Sequence, residues 1–179
     1  HRTATADAFG MPHDNYCGAT PQKNTPQQPA SSGWVSFYWQ YRLLFQLQLA
    51  ERQRLARPEM SRLFAQLEAR IDDLLATDEP PTLIHGDLWG GNYMTGPDGS
   101  AWLIDPAAYY GNREAELGMT HLFGGFSPAF YRAYDAEYPL APGHQDRLPL
   151  YKLYHVMNHL NLFGSSYYNQ AISILKYYL

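Results

Sequence analysis

A chain of 179 residues, 45% of them hydrophobic, carries enough apolar material to bury a substantial core, which excludes a disordered protein. The formal net charge of −4 leaves no basic footprint for a nucleic-acid partner. Cys17 is the only cysteine, which excludes an internal disulfide and a structural zinc held by a cysteine cluster.

That cysteine usage fits a reducing, cytoplasmic setting. No apolar run approaches the roughly 20 residues of a membrane span, and the first residues lack a signal peptide's apolar region, so neither a membrane nor export is expected.

In chain order, the stretch from about Gly10 to Gly33 is rich in Gly, Pro, Asn and Gln and predicts an ordered but irregular loop with a functional role. Phe9, Met11 and Tyr16 give that loop something to pack with. From Trp34 to about Ala56 apolar residues recur at helical spacing, which predicts one long amphipathic helix. Pro58 suits the first turn of the next, whose stripe Met60, Leu63, Phe64, Leu67, Ile71, Leu74 and Leu75 stops before Pro80-Pro81. These two helices are expected to pack on each other.

Between Thr82 and Asp105 the period changes: Leu83-Ile84, Tyr93-Met94 and Trp102-Leu103-Ile104 predict short strands joined by glycine-rich connections. Beyond Pro106 the pattern is helical again, with Ser127-Pro128 as cap and first residue of a helix through Phe130, Tyr131 and Tyr134. Two further helices follow, one through Tyr151, Tyr154 and Leu160 and one through Ala171, Ile172 and Leu175. The chain reads as mainly α with a small β-hairpin embedded in it, an α+β class, with no internal repeat.

Asp98-Gly99 is a strong two-residue turn signal, and a hairpin closed there would pair Leu103 with Met94 and Asp105 with Asn92. Pro97 lacks a donor and could shift this register by one residue, but either way Asn92 and Asp105 meet at the open end. A carboxylate and an amide oxygen together suit Mg2+, which takes a few protein oxygens and completes its shell with water and substrate phosphates. Asp87 lies just upstream, and Gly86, Gly90 and Gly91 allow a tight backbone path that holds it near the same end.

Phosphoryl transfer divides the roles: Asp87 accepts the proton of an incoming hydroxyl, and Asn92 and Asp105 hold metal. An Asp followed five residues later by Asn, and by a second Asp after a short hairpin, is the core pattern of the kinase fold. The plainer alternative, that Asp87 and Asn92 only shape glycine-rich turns, leaves Asp105 as a third coincidence.

His155 and His159 stand four apart in a helical stretch, as a metal pair would, but Val156-Met157-Asn158 lacks the glutamate of a zinc-protease helix. They are expected to pack and hydrogen-bond inside the helical region. His85 is expected to brace the loop carrying Asp87 through a hydrogen bond, and Glu114 and Glu116 to open a helix whose dipole favours them.

The run His85-Gly86-Asp87-Leu88-Trp89-Gly90-Gly91-Asn92 resembles the catalytic loop of the fructosamine kinase and aminoglycoside phosphotransferase superfamily, and its Leu-Trp-Gly variant resembles the fructosamine (ketosamine) kinases. Asp14-Asn15-Tyr16, Thr20-Pro21-Gln22, Asp105-Pro106-Ala107, Arg113 through Thr120, Tyr154-His155 and Asn158 through Gly164 are similar to that family too, so the resemblance covers nearly the whole chain.

The resemblance implies an ATP-dependent kinase acting on the 3-hydroxyl of small or protein-bound ketosamines, that is fructosamine or ribulosamine adducts, in the repair of glycated protein. Asp87 matches the family's catalytic base and Asn92 and Asp105 its Mg2+ ligands. Trp89 matches a residue facing the sugar, where an indole can stack on the ring. His13 and Asp14 are candidates for contact with the glycated amine.

A complete kinase also has a smaller N-terminal lobe with a glycine-rich loop, a phosphate-binding lysine and its glutamate partner, and none of these is in this sequence. His1-Arg2 resembles the sequence just after the hinge, so residues 1–179 are expected to form a C-terminal lobe of a protein-kinase-like fold, with the N-terminal lobe absent from this chain. Gly86 and Pro106 stand where protein kinases carry Arg and Phe, so no activation-loop switch is expected. Two alternatives stay open: a kinase for choline, an aminoglycoside or a related acceptor, and a non-catalytic binding module.

Overall fold

The computed structural model describes residues 1–25 and 30–179. The predicted irregular loop contains an antiparallel pair, β1 (Asn15–Cys17) and β2 (Thr20–Gln22), with Asn15 opposite Gln22 and Cys17 opposite Thr20. Residues 26–29 of that loop lie outside the described residues. The first helix begins before Gly33, at Ala30.

The predicted Trp34–Ala56 helix is a rod in three stretches: α1 (Ala30–Tyr38), a π-helical stretch (Trp39–Leu44) and α2 (Phe45–Arg52). Arg42, on the π-helical stretch, is fully buried. Its guanidinium lies 4.0 Å from the centre of the Tyr109 ring and donates to the Lys23 carbonyl at 2.6 Å and to Asn24 Oδ1 at 2.8 Å. A charge so deep is tolerated because π faces and oxygens replace its water, and those contacts fasten the segment after β2 to the rod.

The next predicted helix is two, α3 (Pro58–Glu68), with Pro58 in its first turn as expected, and α4 (Ile71–Leu75). Arg70 leaves the helical region at φ −124°, and the break lets Leu67 and Ile71 both face the core. Trp39 bridges the rod to α3, its ring 6.1 Å from Phe64 and its Nε1 donating to Glu68 at 3.0 Å. The principal partner of α3, however, is the last helix.

The strands β3 (Thr82–Ile84), β4 (Tyr93–Thr95) and β5 (Ala101–Leu103) form where short apolar runs predict them. A fourth, β6 (Tyr109–Gly111), pairs antiparallel with β3, placing Ile84 opposite Tyr109. The described strands therefore make three two-stranded sheets, not one hairpin. Then come α5 (Arg113–Thr120), α6 (Pro128–Glu137), α7 (His144–Phe163) and α8 (Tyr168–Tyr177). The Ser127 side chain caps α6 by accepting from Phe130 N, with Pro128 at the first position, as its sequence dictates.

The 20-residue α7 is the axis of the core. Leu150, Tyr151, Leu153, Met157 and Leu160 are essentially inaccessible, and α2, α5 and α8 pack around them. Polar side chains tie the β1–β2 pair to this axis: Tyr154 OH donates to Gln22 Oε1 at 2.7 Å, and Asn158 Nδ2 to the Cys17 carbonyl at 3.3 Å. The early loop thus lies against α7 on the side where β3 ends.

Candidate active site

The loop after β3 can leave the sheet only through a glycine. Gly86 has φ +80°, and a Cβ there would lie 2.2 Å from the Ala107 carbonyl oxygen, so any side chain would meet both backbone strain and a backbone clash. The loop is anchored from below by Glu116 on α5, which is 2% exposed and accepts from His85 N at 2.5 Å and Gly86 N at 3.2 Å. Burial pushes the Glu116 carboxyl above its usual range, and the backbone donors of the loop oppose that shift. The helix-dipole reading of Glu116 is therefore incomplete. Glu114 faces the other way and makes a two-pronged pair with Arg147 at 2.7 Å.

His85 stitches the loop to the hairpin. Its Nδ1 accepts from Asp87 N at 3.3 Å, which leaves the proton on Nε2, 2.9 Å from the Ile104 carbonyl that accepts it.

The β4–β5 register is the one-residue shift that Pro97 makes available: Tyr93 faces Leu103 and Met94 faces Trp102. Gly96 N donates to the Ser100 carbonyl, so the loop is Pro97-Asp98-Gly99, three residues with Gly99 at φ +80°. Asn92 consequently faces Ile104, whose N–H donates to the Asn92 carbonyl at 3.0 Å, and Asp105 sits one residue further on. Asp105 has φ +55°, a left-handed backbone uncommon for a residue with a side chain.

Asp87, Asn92 and Asp105 line one pocket of about 420 Å3. Asn92 Nδ2 donates to the Asp87 carbonyl at 2.9 Å and to its carboxylate at 3.2 Å, so the amide oxygen points away from Asp87. Burial raises the Asp87 carboxyl above the ordinary aspartate range, with His159, His85 and the Asn92 amide opposing and the Asp105 charge adding to the rise. A base shifted in this direction binds a proton more firmly than an exposed aspartate does.

The opposite wall is aromatic. Trp89 meets Phe123 edge to face at 5.9 Å, Phe123 lies 4.8 Å from the His159 ring, and His159 lies 5.3 Å from Phe163. The Trp89 indole is folded over Gly91, where a Cβ would come within 2.3 Å of the ring. Carboxylates on one side and ring faces on the other suit a polyhydroxylated ligand with an apolar ring face.

The sequence profile described as fructosamine kinase matches residues 1–179. The chain belongs to the fructosamine kinase family. It is 43% identical over 177 residues to a candidate ketoamine kinase of Synechocystis, spanning 98% of this chain and 57% of that protein. It is 40% identical over 171 residues to the mouse ketosamine-3-kinase, spanning 95% of this chain and 53% of that one. The crystal structure of a candidate fructosamine-3-kinase from Thermobifida fusca superimposes with a TM-score of 0.86 at 38% identity, covering 96% of this chain and 58% of that chain. The chain thus spans a little over half the length of these family members.

Of the residues singled out in the sequence, the fold brings Asp87, Asn92, Asp105 and Trp89 to one pocket, with His85 bracing the loop beneath. His13 and Asp14 do not line that pocket. Asp14 accepts from Asn24 N at 2.9 Å and pairs with Lys23 at 2.7 Å, contacts that close the early loop and hold its carboxyl below the usual range. His155 and His159 pack and hydrogen-bond inside the helical region as expected, His159 Nδ1 lying 2.7 Å from the His155 carbonyl, and His159 in addition lines the pocket while His155 is buried behind it. The sequence singled out Glu116 and His159 for other reasons and gave no local signal for Cys17 at the pocket, because these residues reach the site from elements far apart in sequence.

No described helix is long and apolar enough to cross a membrane.

Proposed function

We propose that this chain carries the acceptor-activating and metal-holding part of an ATP-dependent kinase that phosphorylates the 3-hydroxyl of ketosamines, the adducts of sugars with amines. The observation that carries this reading is the convergence of Asp87, Asn92 and Asp105 on one pocket faced by Trp89. The names of the relatives agree with it: a ketosamine-3-kinase in mouse and a protein-ribulosamine 3-kinase in rice.

Asp87 is the general base. The acceptor's 3-hydroxyl gives its proton to the Asp87 carboxylate as its oxygen bonds to the γ-phosphorus of ATP, and the bond to the bridging oxygen breaks to release ADP. Asn92 fixes the carboxylate by donating to it, and His85 and Glu116 hold the loop so that the base does not move as charge develops.

The Asn92 amide oxygen and the Asp105 carboxylate are hard donors free of any sulfur or nitrogen ligand, a set that fits Mg2+. Bound there, Mg2+ would neutralise phosphate charge during transfer. The Trp89 and Phe123 rings on the pocket wall offer the sugar an apolar face to lie against. Residues 1–179 act as a C-terminal lobe, and a glycine-rich loop and phosphate-binding lysine of an N-terminal lobe complete the nucleotide site.

The test is ATP consumption by the whole protein with a fructosamine, a ribulosamine, choline and an aminoglycoside, with phosphorus NMR to locate the phosphoester. Turnover of a ketosamine at O3 is expected. Phosphorylation of choline or the aminoglycoside with none of either ketosamine would overturn the reading.

A further inference from the structure

Behind the phosphoryl-transfer residues lies a second constellation of a different chemical kind. The Cys17 sulfur, a carboxylate oxygen of Asp87 and a ring nitrogen of His155 lie within 4.8 Å of one another. They converge from the end of β1, the loop after β3 and the middle of α7. Cys17 and His155 are 2% and 4% exposed, while Cys17 and Asp87 both reach the pocket wall, which gives an ion a path in from solvent.

His155 supplies a second, independent observation. Its Nδ1 is buried and has no hydrogen-bond partner among the described residues, an unusual state for an imidazole nitrogen that could have been packed as an apolar residue instead. Burial holds the His155 pKa down at about 3, so the ring is neutral at physiological pH and carries the lone pair that a metal needs.

We propose that Cys17, Asp87 and His155 form a site for a borderline-soft divalent cation of the zinc class, separate from the oxygen pair of Asn92 and Asp105. A sulfur, an imidazole nitrogen and one carboxylate select Zn2+ over Mg2+, and three protein ligands leave a fourth position for water. Bonds of about 2.0–2.3 Å place tetrahedral donors roughly 3.5 Å apart, so donors that lie within 4.8 Å of one another must draw together by about 1 Å to hold the ion.

The surroundings support the sulfur as a ligand. Asn158 Nδ2 donates to Cys17 Sγ at 3.4 Å and Gln46 Nε2 donates to Asn158 Oδ1 at 3.2 Å, a relay that orients the sulfur and favours its anionic form. Without a cation, burial and the Asp87 charge push the Cys17 thiol up to about 12, so it holds its proton. When the metal–sulfur bond forms, that proton passes to solvent, and the cation replaces it as the positive neighbour of Asp87.

Because Asp87 belongs to both constellations, an ion held by Cys17 and His155 removes the base from the reaction. This consequence rests on the kinase reading of Asp87, whereas binding of the ion does not. The protein would thus be reversibly silenced by a thiophilic cation.

The test uses Co2+ as a spectroscopic substitute for Zn2+ on the purified protein. The expected result is one equivalent bound, with thiolate-to-cobalt charge-transfer absorption, displaced by equimolar Zn2+ and retained in a large excess of Mg2+. Cys17 is the sole cysteine of residues 1–179, and loss of the absorption in Cys17→Ser assigns it to this sulfur. Cys17→Ser should abolish it, and His155→Gln should weaken Co2+ binding about 10–100-fold.

Absence of the charge-transfer band in the wild-type protein at saturating Co2+ overturns the proposal, and this readout needs no variant to fold. Unchanged affinity in a folded His155→Gln variant overturns it equally. In the whole enzyme, Zn2+ inhibition that persists in Cys17→Ser removes the regulatory consequence. Failure of the kinase reading leaves the cobalt signal intact, so the two failures are told apart.

Discussion

Asn92 Nδ2 donates at once to the backbone carbonyl of Asp87 at 2.9 Å and to its carboxylate at 3.2 Å, so the proposed metal ligand also sets the direction of the proposed base. Asp87→Asn keeps the size of the side chain and can still accept from Asn92, but it cannot take a proton. Turnover should fall by roughly 10²–10⁴-fold with the thermal midpoint unchanged. Wild-type turnover in that variant would remove Asp87 from the mechanism.

Gly91 and Gly90 are adjacent but not equivalent. A Cβ at Gly91 would lie 2.3 Å from the Trp89 indole, whereas one at Gly90 would meet nothing within 4 Å. Gly91→Ala should therefore swing Trp89 off its seat and raise the acceptor KM by up to about tenfold, the equivalent of a lost ring-stacking contact, while kcat changes little. Gly90→Ala is the control and should match wild type in steady-state kinetics. Equal effects at the two positions would dissociate Trp89 from the acceptor.

Glu116 is the acceptor for two backbone N–H groups of the loop that carries Asp87. Glu116→Ala should cost about 1–3 kcal/mol for each donor left without a partner, read by urea denaturation, and should lower kcat as the loop loosens. Glu116→Gln retains one acceptor oxygen and should lose less on both measures. An alanine variant as stable as wild type would show that solvent replaces the carboxylate.

His155 makes stability depend on pH. Its folded pKa of about 3 lies below the unfolded value near 6.5, so between those limits the unfolded chain binds the extra proton and stability falls as pH falls. Between pH 8 and pH 5 the loss should be on the order of 2 kcal/mol from this group. His155→Gln should flatten that part of the profile in denaturation experiments at several pH values. A slope unchanged by the substitution would assign the acid sensitivity to other groups.

What the sequence determined by itself was whatever depends on neighbours along the chain. The Ser127-Pro128 cap, Pro58 in a first helical turn and the apolar stripe of α7 needed only local sterics and hydrogen bonding. The run from His85 to Asn92 was legible as a unit for the same reason: its residues are contiguous, and the glycines among them set the path that brings Asp87 and Asn92 to one pocket. The turn at Asp98-Gly99 was also legible, but its register was not, because Pro97 and the bond between Gly96 and Ser100 favour a three-residue loop over a two-residue one.

The tertiary structure decided whatever depends on residues meeting across the chain. The pairings of β1 with β2 and of β6 with β3 complete the framework around the site, yet each strand is three residues long, too short for alternation to announce it. The break between α3 and α4 and the π-helical stretch around Arg42 follow from what each side chain must bury, which a helical period does not encode. Glu116 reaches a loop 30 residues earlier, and Cys17 meets His155 across most of the chain. Such contacts leave no periodic trace in sequence, because long-range packing is fixed by the summed burial of the whole core and not by the residues that happen to touch.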